Sequence, residues 1–182
     1  MIHHHKKFLN KSELEGVKEY LELCFFKQRK TRTKPDSMIE NALCIYGDPV
    51  MDYFLCSKKN IVEKVFNKKL LPTYSYSRLY INGQSLFKHK DRPACEISLT
   101  LNIWQDVNWP IFMEGKAYDC KPGDAVFYEG GKYEHWREAY KGETCCQIFM
   151  HYVDANGSNT DQAYDGAKNL TYPRKIYEKW LK

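Results

Sequence analysis

The sequence predicts an α+β fold in which helices come first and a sandwich or jelly roll of short strands follows. Apolar residues recur at helical spacing over the first third of the chain. After Pro72 the pattern changes to β-branched and aromatic residues that alternate with polar ones. Turn signals such as Asn82-Gly83 separate these short segments. Helices followed by a run of strands are typical of the α+β class.

Three helices are predicted in the N-terminal region. The first spans 12–28, with Ser12 as its N-cap in front of apolar residues at helical spacing. The second begins at Asp48-Pro49, where a capping residue precedes a proline in the first turn. The third covers the apolar positions of 61–66 and ends before Leu71.

The remainder of the chain predicts strands and then a tail. Strands are expected at 73–81, 96–104, 109–113, 125–129 and 145–153. Residues 154–171 are polar and predict a loop, and 172–182 predict a short terminal helix. We therefore expect a single domain over 1–182, with helical support at 12–71, a β core at 72–153 and a C-terminal loop and helix at 154–182.

The composition excludes several classes of protein. The chain has 182 residues, 43% of them hydrophobic and 15% aromatic, which excludes a disordered chain. Neither an apolar run of about 18 residues nor a signal peptide is visible, so we expect a cytoplasmic protein without a membrane partner. The seven cysteines form no CxxC pair, which favours reduced, packed thiols over a zinc site.

The charge pattern makes nucleic acid an unfavoured partner, because the net charge is only +5. Part of that excess is one basic run, formed by Lys27, Arg29, Lys30, Arg32 and Lys34. We interpret the run as a solvated loop, with a patch for a polyanion or a substrate as the alternative. The histidines at 3–5 resemble an added affinity tag and are set aside.

Three histidines remain, and two of them fit a metal site. His89 and Asp91 are two residues apart, which in a strand places both side chains on one face. His135 follows the predicted strand at 125–129. Two histidines and one carboxylate form the ligand set of non-haem Fe(II) oxygenases. A His-x-Asp pair is a weak signal by itself, and a surface histidine beside an Asp91–Arg92 ion pair is the ordinary alternative.

A longer motif strengthens the metal hypothesis. The segment that holds Tyr80, Gly83, His89 and Asp91 resembles the Tyr-x-x-Gly-x-x-x-x-x-His-x-Asp signature of prolyl 4-hydroxylase-like 2-oxoglutarate/Fe(II) dioxygenases. The resemblance covers about 72–153, and the compact size is similar to that of small phage and marine-bacterial members. It continues through the strand at 96–102, Lys121-Pro122-Gly123-Asp124, Phe127 and the distal His135.

The resemblance implies a fold, a set of cofactors and a reaction. The family folds as a double-stranded β-helix, a type of jelly roll. Its match here implies that His89, Asp91 and His135 bind Fe(II), with 2-oxoglutarate as cosubstrate and O₂ as oxidant. It also implies hydroxylation of an unactivated C–H bond. Prolyl residues in a peptide or protein are the substrate suggested by the nearest relatives, and small molecules are accepted elsewhere in the superfamily.

The resemblance also implies how the cosubstrate is held, with one departure from the family pattern. Tyr80 matches the tyrosine that bonds the distal carboxylate of 2-oxoglutarate. The basic residue that the family carries at the start of its last strand falls here at 144–146, where no position is basic. Arg137 is the best substitute, because a guanidinium can bind a carboxylate through two hydrogen bonds. Lys141 and His151 are further candidates.

Three more residues are candidate contacts. Asn102 shares a strand face with Ser98 and Thr100, and this polar stripe suits a cosubstrate pocket. Arg92 and Trp136 are candidate substrate residues, although Arg92 is equally able to form a salt bridge with Glu96.

Two other functions stay open at this point. A cupin-type metal enzyme fits the jelly roll, but cupins usually carry His-x-His where this chain has His89 and Asp91. A non-catalytic jelly-roll binding module is the third reading, and the missing late cation favours it. The oligomeric state is not predicted.

Overall fold

The computed structural model describes residues 1–27, 34–36 and 38–167. Positions 28–33 of the basic run and the helix predicted for 172–182 lie outside these residues. The described helices are α1 (Lys11–Glu22), α2 (Pro49–Ser57) and α3 (Lys59–Phe66). The described strands are β1 (Ile2–His5), β2 (Lys34–Pro35), β3 (Leu43–Tyr46), β4 (Leu70–Ile81), β5 (Leu86–His89), β6 (Ile97–Gln105), β7 (Ile111–Met113), β8 (Lys116–Tyr118), β9 (Ala125–Glu129), β10 (His135–Arg137) and β11 (Thr144–Asp154).

The start of α1 differs from the prediction. Asn10 is the N-cap, two residues before Ser12, and its side chain accepts a hydrogen bond from the backbone N–H of Glu13. The Glu13 carboxylate in turn accepts one from the backbone N–H of Asn10, which completes a capping box. Helix α2 begins as predicted, with Asp48 as N-cap and Pro49 in the first turn.

The described strands form two antiparallel sheets. The larger has the order β1-β9-β6-β11-β4-β3-β2, and the smaller has the order β5-β10-β7-β8. The predicted α+β class with a jelly-roll core is therefore confirmed. Several bounds differ from the prediction. Strand β4 already begins at Leu70, and a 3₁₀ segment covers Thr160–Ala167 inside the predicted loop. The short strands β1, β2, β3, β5, β8 and β10 were not predicted.

The two faces of the larger sheet have opposite character. On β6, the apolar side chains of Leu99 and Leu101 pack in one core with Leu21 of α1 and Leu55 of α2. The alternate residues of the same strand are polar and fully buried, and they are Ser98, Thr100 and Asn102. Because strand side chains alternate, the apolar face is covered by the helices and the polar face lies between the sheets. That polar interior is where a ligand can bind.

Pro72 does not interrupt β4, because the strand pairing is irregular at that point. The ladder between β4 and β11 shifts register between Met150 and Tyr152, where Tyr152 pairs with Pro72. A proline is tolerated at such an irregularity, since it has no N–H to donate to a regular ladder. On the other side of β11 the pairing stays regular there, and His151 lies opposite Ser98 of β6.

The histidine run that we set aside belongs to the fold. It forms most of β1, which pairs with β9. The ring centroids of His3 and His5 lie 5.8 and 5.2 Å from that of Phe127. These side chains therefore cover the edge of the larger sheet.

The cysteines are packed as predicted except for Cys56. All seven lie in the described part of the chain and none is in a disulfide. Six are buried, and Cys56 is exposed. No helix in the described ranges is both long and apolar enough to cross a membrane.

The apolar face of β6 generates a stability prediction. Leu99→Ala removes a fully buried side chain between the sheet and the helices, and we expect it to lower the free energy of unfolding by about 2–5 kcal/mol. Urea unfolding followed by circular dichroism measures the change. The matched control is Val107→Ala, at a 39% exposed position, for which we expect a change within about 0.5 kcal/mol. Equal losses in both variants would contradict the helix-covered core.

Candidate functional site

A cavity of about 250 Å³ opens between the two sheets. His89, at the end of β5, and His135, at the start of β10, are directly opposite each other in the ladder of the smaller sheet. Asp91 follows two residues after His89, beyond the end of β5. The three residues line the same cavity. The prediction that His89 and Asp91 share one strand face is wrong, because the strand ends at His89.

The side chains of His89, Asp91 and His135 lie close together. The Nε2 atoms of His89 and His135 lie 3.6 and 3.5 Å from Oδ1 of Asp91. The two imidazole centroids are 4.3 Å apart. One ligand atom from each of the three residues lies within 4.8 Å of the others, which is the spacing of a metal site. The structure thus brings together the three residues that the sequence predicted as ligands.

Each imidazole is oriented by the backbone carbonyl group two residues before it in the chain. Nδ1 of His89 is 2.8 Å from the carbonyl oxygen of Phe87, and Nδ1 of His135 is 3.1 Å from that of Tyr133. A carbonyl oxygen only accepts hydrogen bonds, so Nδ1 carries a proton in each ring and Nε2 is the nitrogen turned towards Asp91. A metal ligand requires this arrangement, in which Nε2 binds the ion once it has no proton.

The charges at the site favour an ionised carboxylate. Burial raises the pKa of Asp91, but the imidazoles of His135 and His89 beside it outweigh burial and bring that pKa well below its usual range. For His89, burial lowers the pKa, and the Asp91 carboxylate outweighs burial and raises it. The cluster therefore presents an anionic oxygen to whatever binds between the two rings.

Gly130, just after β9, leaves the space that Asp91 occupies. Its carbonyl oxygen accepts a hydrogen bond from the backbone N–H of Asp91 at 3.0 Å. A Cβ atom at this position would overlap Oδ2 of Asp91 and the carbonyl oxygen of Cys95, and would lie 2.8 Å from Cβ of Asp91. No side chain larger than glycine fits without displacing the carboxylate.

A second group of metal-ligating types includes Asp91, Cys95 and His151. Burial raises the pKa of the Cys95 thiol to about 12, so the thiolate that a metal would need is scarce at neutral pH. Burial also lowers the pKa of His151 to about 4. The first group fits a metal ion better, because its ligand atoms are available without removing a thiol proton.

Arg137 lies in the polar interior rather than at a rim beside Glu138. It is 2% exposed, and its guanidinium lies 4.8 Å from the ring of Trp109. Nη1 donates to the carbonyl oxygen of Trp109 at 2.5 Å, and Nη2 lies 3.4 Å from both Thr100 Oγ1 and Gln147 Oε1. Nε has no hydrogen-bond partner among the residues that the structure describes. Within the described residues this buried cation has no carboxylate beside it.

Tyr80 is fully buried, and its ring packs edge-on against Trp109 at 4.7 Å. Its hydroxyl accepts a hydrogen bond from Nη1 of Arg78 at 2.8 Å, and Nε of Arg78 donates to Asp36 at 2.7 Å. Arg78 lines the cavity. Sequence reasoning missed Arg78, although an arginine that alternates with tyrosines on a core strand is itself a signal of an interior cation.

Asn102 faces the polar interior as predicted, but its amide group is not free to donate a hydrogen bond to a cosubstrate. Nδ2 donates to the carbonyl oxygen of Cys120 at 2.7 Å, and Oδ1 is buried with no partner in the described part of the chain. The free atom is an acceptor, and a carboxylate offers it no proton. Asn102 is therefore not a ready donor for the distal carboxylate of a cosubstrate.

The two predicted substrate residues lie in different places. The guanidinium of Arg92 lies 4.8 Å from the ring of Tyr74, and its Nη2 is 3.7 Å from Asp165, not paired with Glu96. Trp136 points to the opposite face of β10 from His135, where it stacks on Phe112 at 5.5 Å. Trp136 is not among the described residues that line the cavity.

The cavity has an aromatic wall. Tyr46 stacks on Tyr74 at 4.9 Å and meets Tyr76 edge-on at 6.2 Å. Phe149 continues the wall 6.0 Å from Tyr76. These four residues come from β3, β4 and β11, which only the folded sheet brings together.

The tight packing of Gly130 against Asp91 generates a prediction. We expect Gly130→Ala to weaken Co(II) binding by about 10–100-fold, because the added methyl group displaces the carboxylate. Titration of the metal-free protein followed by visible absorption measures it. The control is Gly16→Ala, in α1, where a Cβ meets nothing within 4 Å. Unchanged affinity in Gly130→Ala would show that Asp91 does not bind the metal.

The comparisons with known proteins show the fold. No protein-family model and no curated protein sequence matches this chain. A prolyl-4-hydroxylase from Pseudomonas putida superposes with a TM-score of 0.65 and 14% identity, covering 84% of this chain and 92% of that one. The α-ketoglutarate-dependent carbocyclase SnoK from nogalamycin biosynthesis superposes with a TM-score of 0.69 and 11% identity, covering 85% of this chain and 79% of that one. The collagen prolyl hydroxylase of Paramecium bursaria Chlorella virus-1 superposes with a TM-score of 0.63 and 11% identity, covering 85% of this chain and 96% of that one. This chain therefore has the double-stranded β-helix fold that these oxygenases share.

Proposed function

We propose that the protein is a 2-oxoglutarate/Fe(II)-dependent dioxygenase that hydroxylates an unactivated C–H bond. One observation carries the proposal: His89, Asp91 and His135 present their ligand atoms within 4.8 Å of one another in the cavity between the sheets. The double-stranded β-helix fold supports it, because the superposed structures include enzymes of this class.

The donor set fits Fe(II). Two imidazole nitrogens and one carboxylate oxygen on one side of an ion leave positions open for a chelating cosubstrate and O₂. When bound, Fe(II) and 2-oxoglutarate supply the activation of O₂, coupled to decarboxylation to succinate and CO₂. The chain's own groups bind and orient the reactants. Tyr128 and Phe149, which line the cavity, keep water from its walls.

Arg137 is the residue that we assign to the distal carboxylate of 2-oxoglutarate. A buried guanidinium without a counter-ion is costly, and a bound carboxylate removes that cost. Arg78 is a second interior cation, and its charge is already compensated by Asp36. We also assign Tyr80 to the distal carboxylate of 2-oxoglutarate, because its ring packs against the same Trp109 ring as Arg137. Its hydroxyl accepts a hydrogen bond from Arg78 and keeps its own proton to donate.

For the substrate, we propose a prolyl residue in a peptide or protein. Flat aromatic side chains bind the pyrrolidine rings of proline-rich segments, and Tyr46, Tyr74 and Tyr76 form such a wall in the cavity. Arg92, beside Tyr74, is placed to donate to peptide carbonyl oxygens. Trp136 is not part of this proposal, because it lies on the outer face of β10.

The reaction class is tested by an anaerobic titration with Fe(II) and then 2-oxoglutarate. We expect a visible metal-to-ligand charge-transfer band that requires both additions and is lost in His89→Ala, because that variant lacks one Nε2 ligand. His3→Ala, in β1, is the matched control and should keep the band. Iron binding with no band at any cosubstrate concentration would favour a cupin-type enzyme. No iron binding would favour a non-catalytic module.

The carboxylate assignment is tested by the cosubstrate dependence of the same band. We expect Arg137→Leu to raise the Kd of 2-oxoglutarate by about 10–100-fold, the loss expected for a charged hydrogen bond. Arg137→Lys keeps the positive charge, so we expect a smaller rise in the Kd of 2-oxoglutarate. A rise in Kd for Arg78→Leu with no change for Arg137→Leu would move the assignment to Arg78.

A further inference from the structure

The two oxygens of Asp91 have different surroundings. Oδ1 faces the Nε2 atoms of His135 and His89 at 3.5 and 3.6 Å. Oδ2 points the other way and accepts a hydrogen bond from the Ser98 hydroxyl at 3.0 Å. Oδ1 is therefore the oxygen available to a metal ion, and the protein itself holds Oδ2.

Ser98 joins Asp91 to a second buried residue. It is fully buried on β6, and its register partner on β11 is His151. The Ser98 Oγ lies 2.9 Å from Nδ1 of His151 and 3.0 Å from the carbonyl oxygen of Cys95. A hydroxyl has one proton, and an ionised carboxylate is the strongest acceptor of the three. The proton then points to Asp91, and Oγ accepts from the N–H at Nδ1 of His151.

His151 is held in place for this role. It is 6% exposed, and its ring lies 4.6 Å from that of Tyr74. The register irregularity between Met150 and Tyr152 separates it from the ladder with β4, while its pairing with β6 stays regular. The backbone thus keeps Nδ1 of His151 beside Ser98.

We propose that Ser98 and His151 are positioning residues that form a hydrogen-bond relay to Oδ2 of Asp91. The relay turns Oδ1 towards the two imidazoles and holds Asp91 as a ligand through one oxygen. Gly130 leaves the space that Oδ2 occupies, because a Cβ there would overlap this oxygen of Asp91. This inference rests on the proposed metal site.

Metal affinity tests the relay without any turnover. Metal-free wild type and variants are titrated with Co(II), a spectroscopic substitute for Fe(II), and followed by visible absorption and equilibrium dialysis. We expect Ser98→Ala to raise the Kd by about 10–100-fold and to change the visible band, because Asp91 loses the partner of its second oxygen. Ser98→Thr keeps the hydroxyl and should restore both. Ser77→Ala, which removes a buried hydroxyl without a partner from β4, should match wild type.

Two substitutions test the outer member of the relay. His151→Asn keeps an N–H close to the position of Nδ1, whereas His151→Leu removes it. We expect His151→Leu to weaken Co(II) binding and His151→Asn to retain most of it. Thermal unfolding of each metal-free variant, followed by circular dichroism, checks that the fold is kept.

The outcomes separate the relay from the proposed function. If wild type binds neither Co(II) nor Fe(II), the proposed metal site fails and the relay fails with it. If wild type binds Co(II) and Ser98→Ala binds it equally well, only the relay is overturned. Weak binding by Ser98→Ala together with wild-type binding by His151→Leu would overturn the role of His151.

Discussion

The alternation of side chains across the larger sheet is the constraint on which the structure depends. One face is apolar and is covered by α1, α2 and α3 in the main hydrophobic core. The other face is polar and buried, because the smaller sheet lies over it. Apolar burial on the helix side stabilises the fold and allows the interior to carry polar groups that would destabilise an ordinary core.

Most of the charged side chains in this interior have a partner that can carry the opposite charge. Asp91 is flanked by His89 and His135, and Arg78 is paired with Asp36. Arg137 differs, because its described partners are neutral oxygen atoms. An uncompensated buried cation is unfavourable, and this is the physical reason to expect an anionic ligand at that place.

The three residues of the proposed metal site could be selected from sequence, and their mutual placement could not. Residue types and a short motif identified His89, Asp91 and His135. The expected strand geometry for His89 and Asp91 was wrong, since Asp91 lies beyond the strand and is held by Gly130 and Ser98. Those contacts come from β6 and from the turn after β9, so no local pattern around Asp91 reveals them. The outward position of Trp136 could not be predicted either. It depends on which side chains of the three-residue strand β10 face the interior, and the local sequence does not show this.

The sequence by itself determined the class of the fold, the change from helices to strands near residue 70 and the choice of the three residues proposed as ligands. These follow from local periodicity, capping and motif spacing, which act over a few residues. Only the tertiary structure decided that Arg78 and Arg137 lie inside, that Tyr46, Tyr74 and Tyr76 form one wall and that His151 meets Ser98. Those relations join strands far apart in the chain. Their cause is the register of the sheets, which is set by the packing of the whole domain.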